Sequence, residues 1–323
     1  MSHRIAILGA GVHGARYAKH VSEDVPGLEL AAVCRRDAAA AADLAARWGC
    51  RAATDAHALL EDAGVDAVII ATPPSSHAPL ALAALRAGRP VLLEKPMAGT
   101  LEEARALQAA AAAPGAPPLF LAQTLRWNPV LRRVQELWPS LGRVRYVRAS
   151  QRLEPTALAW QQDPARTVGG SILLTGVHLI DTVRFLSGRE FMQVDCRAER
   201  HANPAVEDFF HAAARLDDGA HVSLEVSKFG RFRGCLLEAV GDEGQVWAEY
   251  YRGGIRINRG AEVTEEDVSA AAPTLPAVLA VWRDVLDGAA PPPVDVAEGL
   301  RNQAVIHACY ASVRTGGPVA VPA

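Results

Sequence analysis

Short apolar runs alternate with helix-like stretches through the first third of the chain. The runs occupy residues 5–8, 28–33, 67–71 and 91–93, and the stretches between them have the length and composition of helices or turns. Uninterrupted apolar runs are typical of strands buried on both faces, and their alternation with helices predicts a doubly wound parallel sheet. A proline- and glycine-rich run at 114–118 precedes one last apolar segment at 119–122. We therefore predict an α/β domain over residues 1–121.

The pattern changes beyond this point to alternating apolar and polar positions, which is typical of strands with one buried face. Apolar residues at 210, 212, 214 and 216 face those at 222, 224 and 226 across Asp217-Asp218-Gly219, which predicts a hairpin. Further strands are predicted at 144–148, with Val144, Tyr146 and Arg148 on one face, and at 192–198. We predict that residues 122–323 form an α+β domain with an open, mainly antiparallel sheet.

One helix interrupts these strands. It begins after Gly169-Gly170 and continues to Asp181, with Leu174, His178 and Asp181 on one face. A single histidine on an apolar helix is more often a packed core residue than a functional one. The pattern alone therefore leaves the role of His178 open.

The first strand leads into Gly9-Ala10-Gly11-Val12-His13-Gly14, which has the spacing GxGxxG between a strand and a helix. Glycines at these positions allow a tight turn, close approach of the backbone to a pyrophosphate and close packing of the helix. The amides at the start of the helix attract the anion. We predict a dinucleotide-binding loop.

Arg35 follows the second strand about twenty positions after Gly14, where the adenine ribose of a dinucleotide is expected. An acid at this position binds the 2′-hydroxyl of NAD, whereas an arginine accommodates the 2′-phosphate of NADP. Arg35 and Arg36 therefore favour NADP, with NAD as the alternative. In that alternative Arg35 stacks on the adenine, or Asp37 binds the ribose.

Two loops are predicted at the carboxyl ends of parallel strands, where ligands bind in such sheets. The first follows residues 67–71 and runs through Thr72 to His77, whose ring either caps the next helix or lies beside the cofactor. The second contains Glu94-Lys95-Pro96. Pro96 restricts the backbone of Lys95, which we expect to point into the crevice.

Length and charge limit the alternatives further. With 323 residues the chain is long enough for two domains, and its net charge of −3 predicts no binding to nucleic acid. Its longest apolar runs fall far short of the ~18 residues of a membrane span. The N-terminus lacks a signal-peptide pattern, and the five cysteines are scattered without a CxxC pair, so we expect a cytoplasmic protein. Glu207 and His211 are too far apart along a strand to share a metal, and no metal site is predicted.

Several segments together, in their order and spacing, resemble the Gfo/Idh/MocA oxidoreductases. They are the GxGxxG loop, Glu94-Lys95-Pro96, Arg126-Trp127-Asn128-Pro129, residues 160–164 and residues 169–181. The resemblance implies a Rossmann domain and a second domain whose open sheet forms a subunit interface, and hence a homodimer or homotetramer. It also implies a nicotinamide cofactor and a sugar-like or polyol substrate. By position, Lys95 matches the family's catalytic lysine and His178 its catalytic histidine.

The chain departs from the family at Leu174, where the resembled proteins commonly carry an aspartate four residues before the histidine. A leucine cannot orient an imidazole or stabilise its charge. We therefore expect Lys95 to supply the proton when a substrate carbonyl is reduced and His178 to orient the hydroxyl.

The predicted site has three sets of residues. The catalytic residues are Lys95 and His178. The cofactor-binding residues are Gly9, Gly11, Val12, His13, Gly14, Arg35, Arg36, Ala71, Thr72, Pro73, His77, Glu94 and Lys95. The substrate-binding residues are Arg126, Trp160, Leu174, Thr175 and His178. Lys228 and Arg231 are further candidates, and several cations in the pocket would favour an acidic or phosphorylated substrate.

The predicted activity is hydride transfer between NAD(P) and a secondary alcohol or ketone. Three alternatives stay open. The protein could use bound cofactor for a non-redox net reaction such as elimination or glycoside cleavage. It could also be a non-catalytic NAD(P)-sensing regulator, or an oligomer with a vestigial site.

Overall fold

The computed structural model describes residues 2–268 and 273–322, and the part of the predicted second domain at 269–272 lies outside the described residues. The strands of the described chain are β1 (His3–Leu8), β2 (Leu28–Cys34), β3 (Arg51–Ala53), β4 (Ala67–Ile70), β5 (Val91–Glu94), β6 (Leu119–Ala122), β7 (Val144–Arg152), β8 (Phe191–Glu199), β9 (Phe209–Leu216), β10 (His221–Ser227), β11 (Gly234–Gly241), β12 (Gln245–Glu249), β13 (Gly254–Arg259), β14 (Glu262–Asp267) and β15 (Val319–Ala320).

The α-helices of the described chain are α1 (Val12–Glu23), α2 (Ala38–Trp48), α3 (Ala56–Glu61), α4 (His77–Arg86), α5 (Leu101–Ala111), α6 (Pro129–Leu137), α7 (Pro164–Thr167), α8 (Val177–Ser187), α9 (Thr274–Leu286) and α10 (Val296–Thr315). A π-helix covers Ile172–Gly176, and 3-10 helices cover Pro74–Ser76, Thr124–Trp127, Trp138–Leu141 and Ala159–Gln162. None of the described helices combines the length and apolar character that crossing a bilayer requires.

The chain divides into two compact units. The first comprises Met1–Gln123 and Pro273–Leu300, and the second comprises Thr124–Ala272 and Arg301–Ala323. The predicted division near residue 122 did not include the return of the chain to the first unit. The buried face of α9 explains that return, because Trp282 is fully buried and packs against Phe120 with ring centroids 6.3 Å apart.

The first unit is built on a parallel sheet. Its six described strands follow the order β3-β2-β1-β4-β5-β6, which is the order of a dinucleotide-binding Rossmann sheet. Every residue of β4, β5 and β6 is buried, as expected for strands covered on both faces. Residue types that favour helix N-termini stand at the starts of two helices. Asp37 caps α2, and Thr100 forms a capping box with Glu103 at the start of α5. The prediction of a doubly wound parallel sheet is confirmed.

The second unit is built on a mixed, mostly antiparallel sheet. Its nine described strands follow the order β14-β13-β12-β11-β7-β10-β9-β8-β15, and β7 and β10 form a parallel pair. The predicted hairpin is present as β9 and β10, with Ala214 opposite Val222 and Phe210 opposite Val226. The prediction that Val144, Tyr146 and Arg148 lie on one face of β7 was partly wrong. Tyr146 and Arg148 are half-buried, whereas Val144 is buried next to a register shift between Val240 and Gly241.

Candidate active site

The glycine-rich loop between β1 and α1 has the shape of a pyrophosphate cradle. Gly9 adopts a φ of +93°, and a Cβ there would lie 2.7 Å from the Thr72 backbone nitrogen. A Cβ on Gly14 would lie 2.4 Å from the Gly9 carbonyl oxygen, whereas a Cβ on Gly11 would meet no described atom within 4 Å. The loop is therefore tightly packed at Gly9 and Gly14 and open beside Gly11. An anion fits there, against the first amides of α1.

The start of α1 fits an anion in a second respect. Gly11 is its N-cap, and among the described residues no side chain accepts a hydrogen bond from its first amides. Val12 is largely exposed and His13 is partly exposed on the first turn. The predicted loop residues thus lie together in the first unit, with backbone donors available to a phosphate.

A buried carboxylate links this loop to the end of β5. Glu94 Oε1 accepts hydrogen bonds from Tyr17 Oη (2.6 Å) and from His13 Nε2 (2.7 Å), and Glu94 Oε2 accepts one from the Lys95 amide (3.1 Å). Burial alone would raise the pKa of Glu94, but His13, Lys95 and Tyr17 outweigh it and lower the pKa to about 2. Glu94 is therefore an ionised acceptor. Burial and the neighbouring carboxylate raise the pKa of the Tyr17 phenol, which keeps it a donor.

Lys95 stands at the carboxyl end of β5, where its side chain is partly exposed. Burial of its ammonium group lowers the pKa of Lys95, and the Glu94 carboxylate opposes that shift. The amine therefore loses its proton more readily than an ordinary lysine. Such a group is suited to taking and giving a proton in catalysis.

His77 does not cap α4, and its predicted position beside the cofactor stays a prediction. Its ring is buried, with Nδ1 2.6 Å from the Pro96 carbonyl oxygen and Nε2 2.8 Å from the Thr72 carbonyl oxygen. Both ring nitrogens face backbone carbonyls, so the ring neither caps α4 nor offers a nitrogen to a cofactor. It ties the loop after β4 to the loop that carries Lys95. Burial lowers the pKa of His77.

The loop after β4 packs against the glycine-rich loop. The Ala71 amide donates to the Leu8 carbonyl (2.8 Å), and Pro73 precedes the 3-10 helix at Pro74–Ser76. The Thr72 hydroxyl is buried and has no hydrogen-bond partner among the described residues. Buried hydroxyls are usually paired, so an unpaired one beside Gly9 is consistent with a ligand at this edge.

Arg35 and Arg36 follow β2, where the prediction placed the ribose. The Arg35 amide donates to the Ala53 carbonyl (3.0 Å); its side chain is half-buried, and Arg36 is exposed. Asp37, the alternative ribose ligand, accepts a hydrogen bond from the Ala40 amide through Oδ1 (3.0 Å) as the cap of α2. One Asp37 oxygen is thus committed to the helix, and the contact of Arg35 and Arg36 with a cofactor stays a prediction.

The second unit carries His178 on a helix with an irregular start. Leu174 and Thr175 are buried within the π-helix at Ile172–Gly176, and the half-buried His178 lies in the first turn of α8. The sequence pattern predicted a regular helix and did not predict this π-helical turn. Single π-helical turns are found often at functional sites.

Glu207 and Tyr310 hold the start of this π-helix. Glu207 Oε1 accepts hydrogen bonds from the Gly170 amide (3.0 Å), the Ile172 amide (3.3 Å) and Tyr310 Oη (2.7 Å). A Cβ on Gly170 would lie 2.0 Å from the Glu207 carbonyl oxygen, and one on Gly169 would lie 2.2 Å from Tyr310 Oη. The close approach of these two residues explains why two glycines open the helix.

A buried ion pair anchors α8. Arg126 donates to both carboxylate oxygens of Asp181 (2.9 and 2.7 Å), and Asn302 Nδ2 donates to the same carboxylate (2.9 Å). Arg126 therefore has a structural role in the second unit. Its predicted contact with substrate stays a prediction, as does that of Trp160, which is half-buried on the 3-10 helix at Ala159–Gln162.

A small cleft opens beside the π-helix in the second unit. Leu174, Glu207 and Lys228 line it together with glutamines from the 3-10 helix. It contains Leu174 from the predicted substrate-binding set and Lys228 from the further candidates, whereas Arg231 is exposed outside it. The cleft is the candidate substrate pocket of this unit.

The predicted residues form two groups. The first unit brings together the glycine loop, Thr72, Glu94 and Lys95, and the second unit brings together Leu174, Thr175 and His178. The joint action of Lys95 and His178 stays a prediction. Among the described residues, no group of three or more histidine, cysteine, aspartate or glutamate side chains is placed to hold a metal.

Sequence reasoning missed the residues that support these groups. Tyr17 lies on α1 without a motif, and its partner Glu94 is 77 positions away. Tyr310 and Glu207 are 103 positions apart. The Gly169-Gly170 pair was a usable signal for Glu207 and Tyr310, because adjacent glycines at a helix start indicate a close approach by other groups.

A glycine cradle at the carboxyl edge of this sheet, with an ionised Glu94 and a partly desolvated Lys95 beside it, defines a dinucleotide-binding protein. Residues 3–119 match the family model "Oxidoreductase family, NAD-binding Rossmann fold", and residues 138–247 match the model of the GFO/IDH/MocA C-terminal domain. The chain belongs to the GFO/IDH/MocA oxidoreductase family, which confirms the resemblance in the sequence.

Named relatives of the chain include two bacterial inositol dehydrogenases. Inositol 2-dehydrogenase 2 of Saccharopolyspora erythraea is 32% identical over 70% of this chain and 67% of its own length. Inositol 2-dehydrogenase of Rubrobacter xylanophilus is 29% identical over 98% of this chain and 93% of its own length. Among solved structures, GenD2 from gentamicin A biosynthesis, in complex with NAD, is 27% identical with a TM-score of 0.89, covering 100% of this chain and 97% of GenD2.

Proposed function

We propose that this protein transfers a hydride between a nicotinamide dinucleotide and a secondary alcohol or ketone of a sugar-like or polyol substrate. The observation that carries the proposal is the placement of Lys95, with its lowered pKa, at the same sheet edge as the glycine cradle. The names of the two inositol dehydrogenases support the substrate class.

The chain's own groups would divide the work as follows. The cradle between Gly9 and Gly14 holds the pyrophosphate against α1, and the bound nicotinamide supplies or accepts the hydride. Lys95 Nζ gives a proton to the substrate oxygen on reduction and takes it on oxidation, and as a cation it stabilises negative charge on that oxygen. His178 orients the hydroxyl, and Glu94 fixes the backbone of Lys95 through its amide.

We further propose a preference for NADP over NAD. Arg35 and Arg36 support it, since a guanidinium pairs well with the 2′-phosphate. The name of one relative, scyllo-inositol 2-dehydrogenase (NAD(+)) of Bacillus subtilis, favours NAD instead. Titration of the protein with NADPH and NADH decides between them. We expect tighter binding of NADPH and a reversed order in Arg35→Asp, and coincident curves for the two cofactors would contradict the preference.

We also propose that the protein is a homodimer or homotetramer and that it is located in the cytoplasm. The core of the second unit lies on one face of its sheet, while the other face carries half-buried or exposed residues such as Arg148, Glu238 and Trp247. A second copy packed on that face would cover Trp247. Light scattering at micromolar protein concentration should give a mass of at least two chains, and a monomer mass would contradict it. The proposed cytoplasmic location is supported by the five scattered cysteines of the sequence, which form no CxxC pair.

A substrate screen tests the proposed activity. Polyols, sugars and sugar acids are incubated with NAD or NADP, and reduced nicotinamide is followed by its absorbance. We expect reduction of the cofactor with at least one cyclic polyol or sugar, and loss of that signal in Lys95→Ala. No reduction with any member of these classes would contradict the proposal.

A further inference from the structure

Three neighbouring strands of the parallel sheet reach its carboxyl edge in register. Ile70 of β4 pairs with Leu93 of β5, and Leu93 pairs with Leu121 of β6. Two positions after each of these paired residues, the chain carries Thr72, Lys95 and Gln123 respectively. Because neighbouring strands lie about 4.8 Å apart, the threonine and the glutamine flank the lysine that we assign to proton transfer.

Both flanking side chains have a buried oxygen in need of a partner. Gln123 is 2% exposed, and its Oε1 is buried with no hydrogen-bond partner among the described residues. The Thr72 hydroxyl is in the same state. Burial of an unpaired polar atom is unfavourable, and most buried polar groups in proteins are paired. Unpaired oxygens on either side of Lys95 therefore indicate that a ligand supplies the partners.

The backbone around Gln123 is held by the protein itself. The Gln123 amide donates to the Leu121 carbonyl (2.9 Å), and the Leu121 amide donates to the Val294 carbonyl (2.9 Å). Sheet pairing places Ala122 opposite Glu94. The side-chain amide of Gln123 is therefore presented from a fixed position, as a binding group requires.

The order of the strands indicates which half of a dinucleotide reaches Gln123. From β2, where the adenine ribose is predicted, the order continues through the glycine cradle at β1 to β4, β5 and β6. With the pyrophosphate in the cradle and the adenine toward β2, the nicotinamide would extend toward β5 and β6. Hydride transfer requires its ring to lie near Lys95, which leaves Gln123 on the far side of the ring from the cradle.

The chemistry of the glutamine side chain matches one group of the nicotinamide. Its oxygen is an acceptor and needs an N–H or O–H donor. The nicotinamide carries a carboxamide, which has N–H donors and an oxygen acceptor, as does the glutamine side chain itself. Two such amides can exchange two hydrogen bonds, whereas a substrate hydroxyl would satisfy one.

We propose that Gln123 is a cofactor-binding residue whose Oε1 accepts a hydrogen bond from the carboxamide N–H of the nicotinamide. The contact holds the nicotinamide ring in one orientation beside Lys95. The inference rests on the proposed function, because it requires the nicotinamide to lie next to that lysine.

Binding calorimetry tests the contact without turnover. The probes are NADP, its 3-acetylpyridine analogue, in which a methyl group replaces the carboxamide nitrogen, and 2′-phospho-ADP-ribose, which lacks the nicotinamide. The same three compounds without the 2′-phosphate are measured in parallel, so the result does not depend on the cofactor preference.

The proteins compared are the wild type, Gln123→Leu, Gln123→Glu and a control, Gln108→Leu. The control makes the same change at a half-buried glutamine of α5 in the first unit. Thermal unfolding of each variant checks that it folds. The comparison of NADP with its analogue on the wild type needs no variant.

We expect the wild type to bind NADP about 10-fold more tightly than the acetylpyridine analogue, which corresponds to about 1.4 kcal/mol for the lost hydrogen bond. Gln123→Leu should bind the two about equally, through weaker binding of NADP, and its affinity for 2′-phospho-ADP-ribose should be unchanged. Gln123→Glu keeps an acceptor and should retain part of the preference. Gln108→Leu should leave the preference intact.

Three results would overturn the inference. The first is equal binding of NADP and its analogue by the wild type, or no binding of either series. The second is a preference that survives in Gln123→Leu, which would give Gln123 to a substrate hydroxyl or to the protein interior. The third is an equal loss for all three probes in Gln123→Leu, which would indicate a structural role. Failure of the proposed activity is seen separately, as the expected binding pattern without reduced nicotinamide in the substrate screen.

Discussion

Replacing Glu94 by glutamine removes the buried charge that joins the glycine loop to the Lys95 strand while keeping its shape. Glu94 is 4% exposed, and its pKa falls from 4.5 to about 2 in the folded protein. A shift of that size corresponds to roughly 3 kcal/mol of stability at neutral pH, since one pKa unit is about 1.4 kcal/mol. Glu94→Gln should therefore lower the unfolding free energy by roughly that amount.

The pH dependence separates the charge from the shape of the side chain. Because the folded-state pKa of Glu94 is depressed, its stabilisation is present above pH 4.5, the unfolded value, and is lost as pH falls toward 2. The difference between wild type and Glu94→Gln should shrink from roughly 3 kcal/mol at pH 7 to roughly half of that near pH 3.

Urea denaturation at pH 7, 5, 4 and 3 measures this difference. The matched control is Glu61→Gln, which changes an exposed glutamate in the last turn of α3, and it should change stability by no more than about 0.5 kcal/mol at every pH. A loss in Glu94→Gln that stays constant from pH 7 to pH 3 would refute the reasoning, because it would show that packing and not charge holds the network.

Three further predictions concern catalysis. Lys95→Ala should lower turnover by about 10² or more, and His178→Ala should lower turnover less in the reductive direction. Rate measurements on one identified substrate compare the two variants. The opposite order would show that His178 is the main proton donor. Leu174→Asp should move the pH profile of turnover upward, since a nearby carboxylate favours the charged imidazole, and an unmoved profile would contradict the account. Glu207→Gln leaves a weaker acceptor for the amides at the start of the π-helix, so thermal stability and kcat should both fall; a loss of stability with kcat retained in the folded enzyme would limit Glu207 to a structural role.

Local patterns predicted much of the fold, and the reasons are visible in particular residues. The apolar runs that became β1, β4 and β5 are buried on both faces, and alternation fixed the β9–β10 hairpin in its correct register. Such patterns report local burial. They could not indicate that α9 returns to the first unit, because that placement depends on Trp282 meeting Phe120, 162 positions earlier in the chain.

The site was predicted where a motif carries its own geometry and missed where support comes from far along the chain. The glycine spacing identified the cradle, and Glu94-Lys95-Pro96 marked the sheet edge. The partners of Glu94 and the role of His77 depend on contacts between loops that are distant in sequence. The π-helical turn depends on Glu207, which lies 37 positions after the glycine whose amide it binds. No periodicity in the sequence encodes such contacts.

The central claim is net hydride transfer between the cofactor and a secondary alcohol, and the direct test is the fate of the hydrogen on the reacting carbon. A substrate from the screen is prepared with deuterium at that carbon, and the reduced nicotinamide is examined by mass spectrometry. The account predicts one deuterium in each reduced nicotinamide, one reduced nicotinamide per ketone formed, and loss of both in Lys95→Ala. Product formed with the cofactor returned to its oxidised state would contradict it and would support a non-redox net reaction.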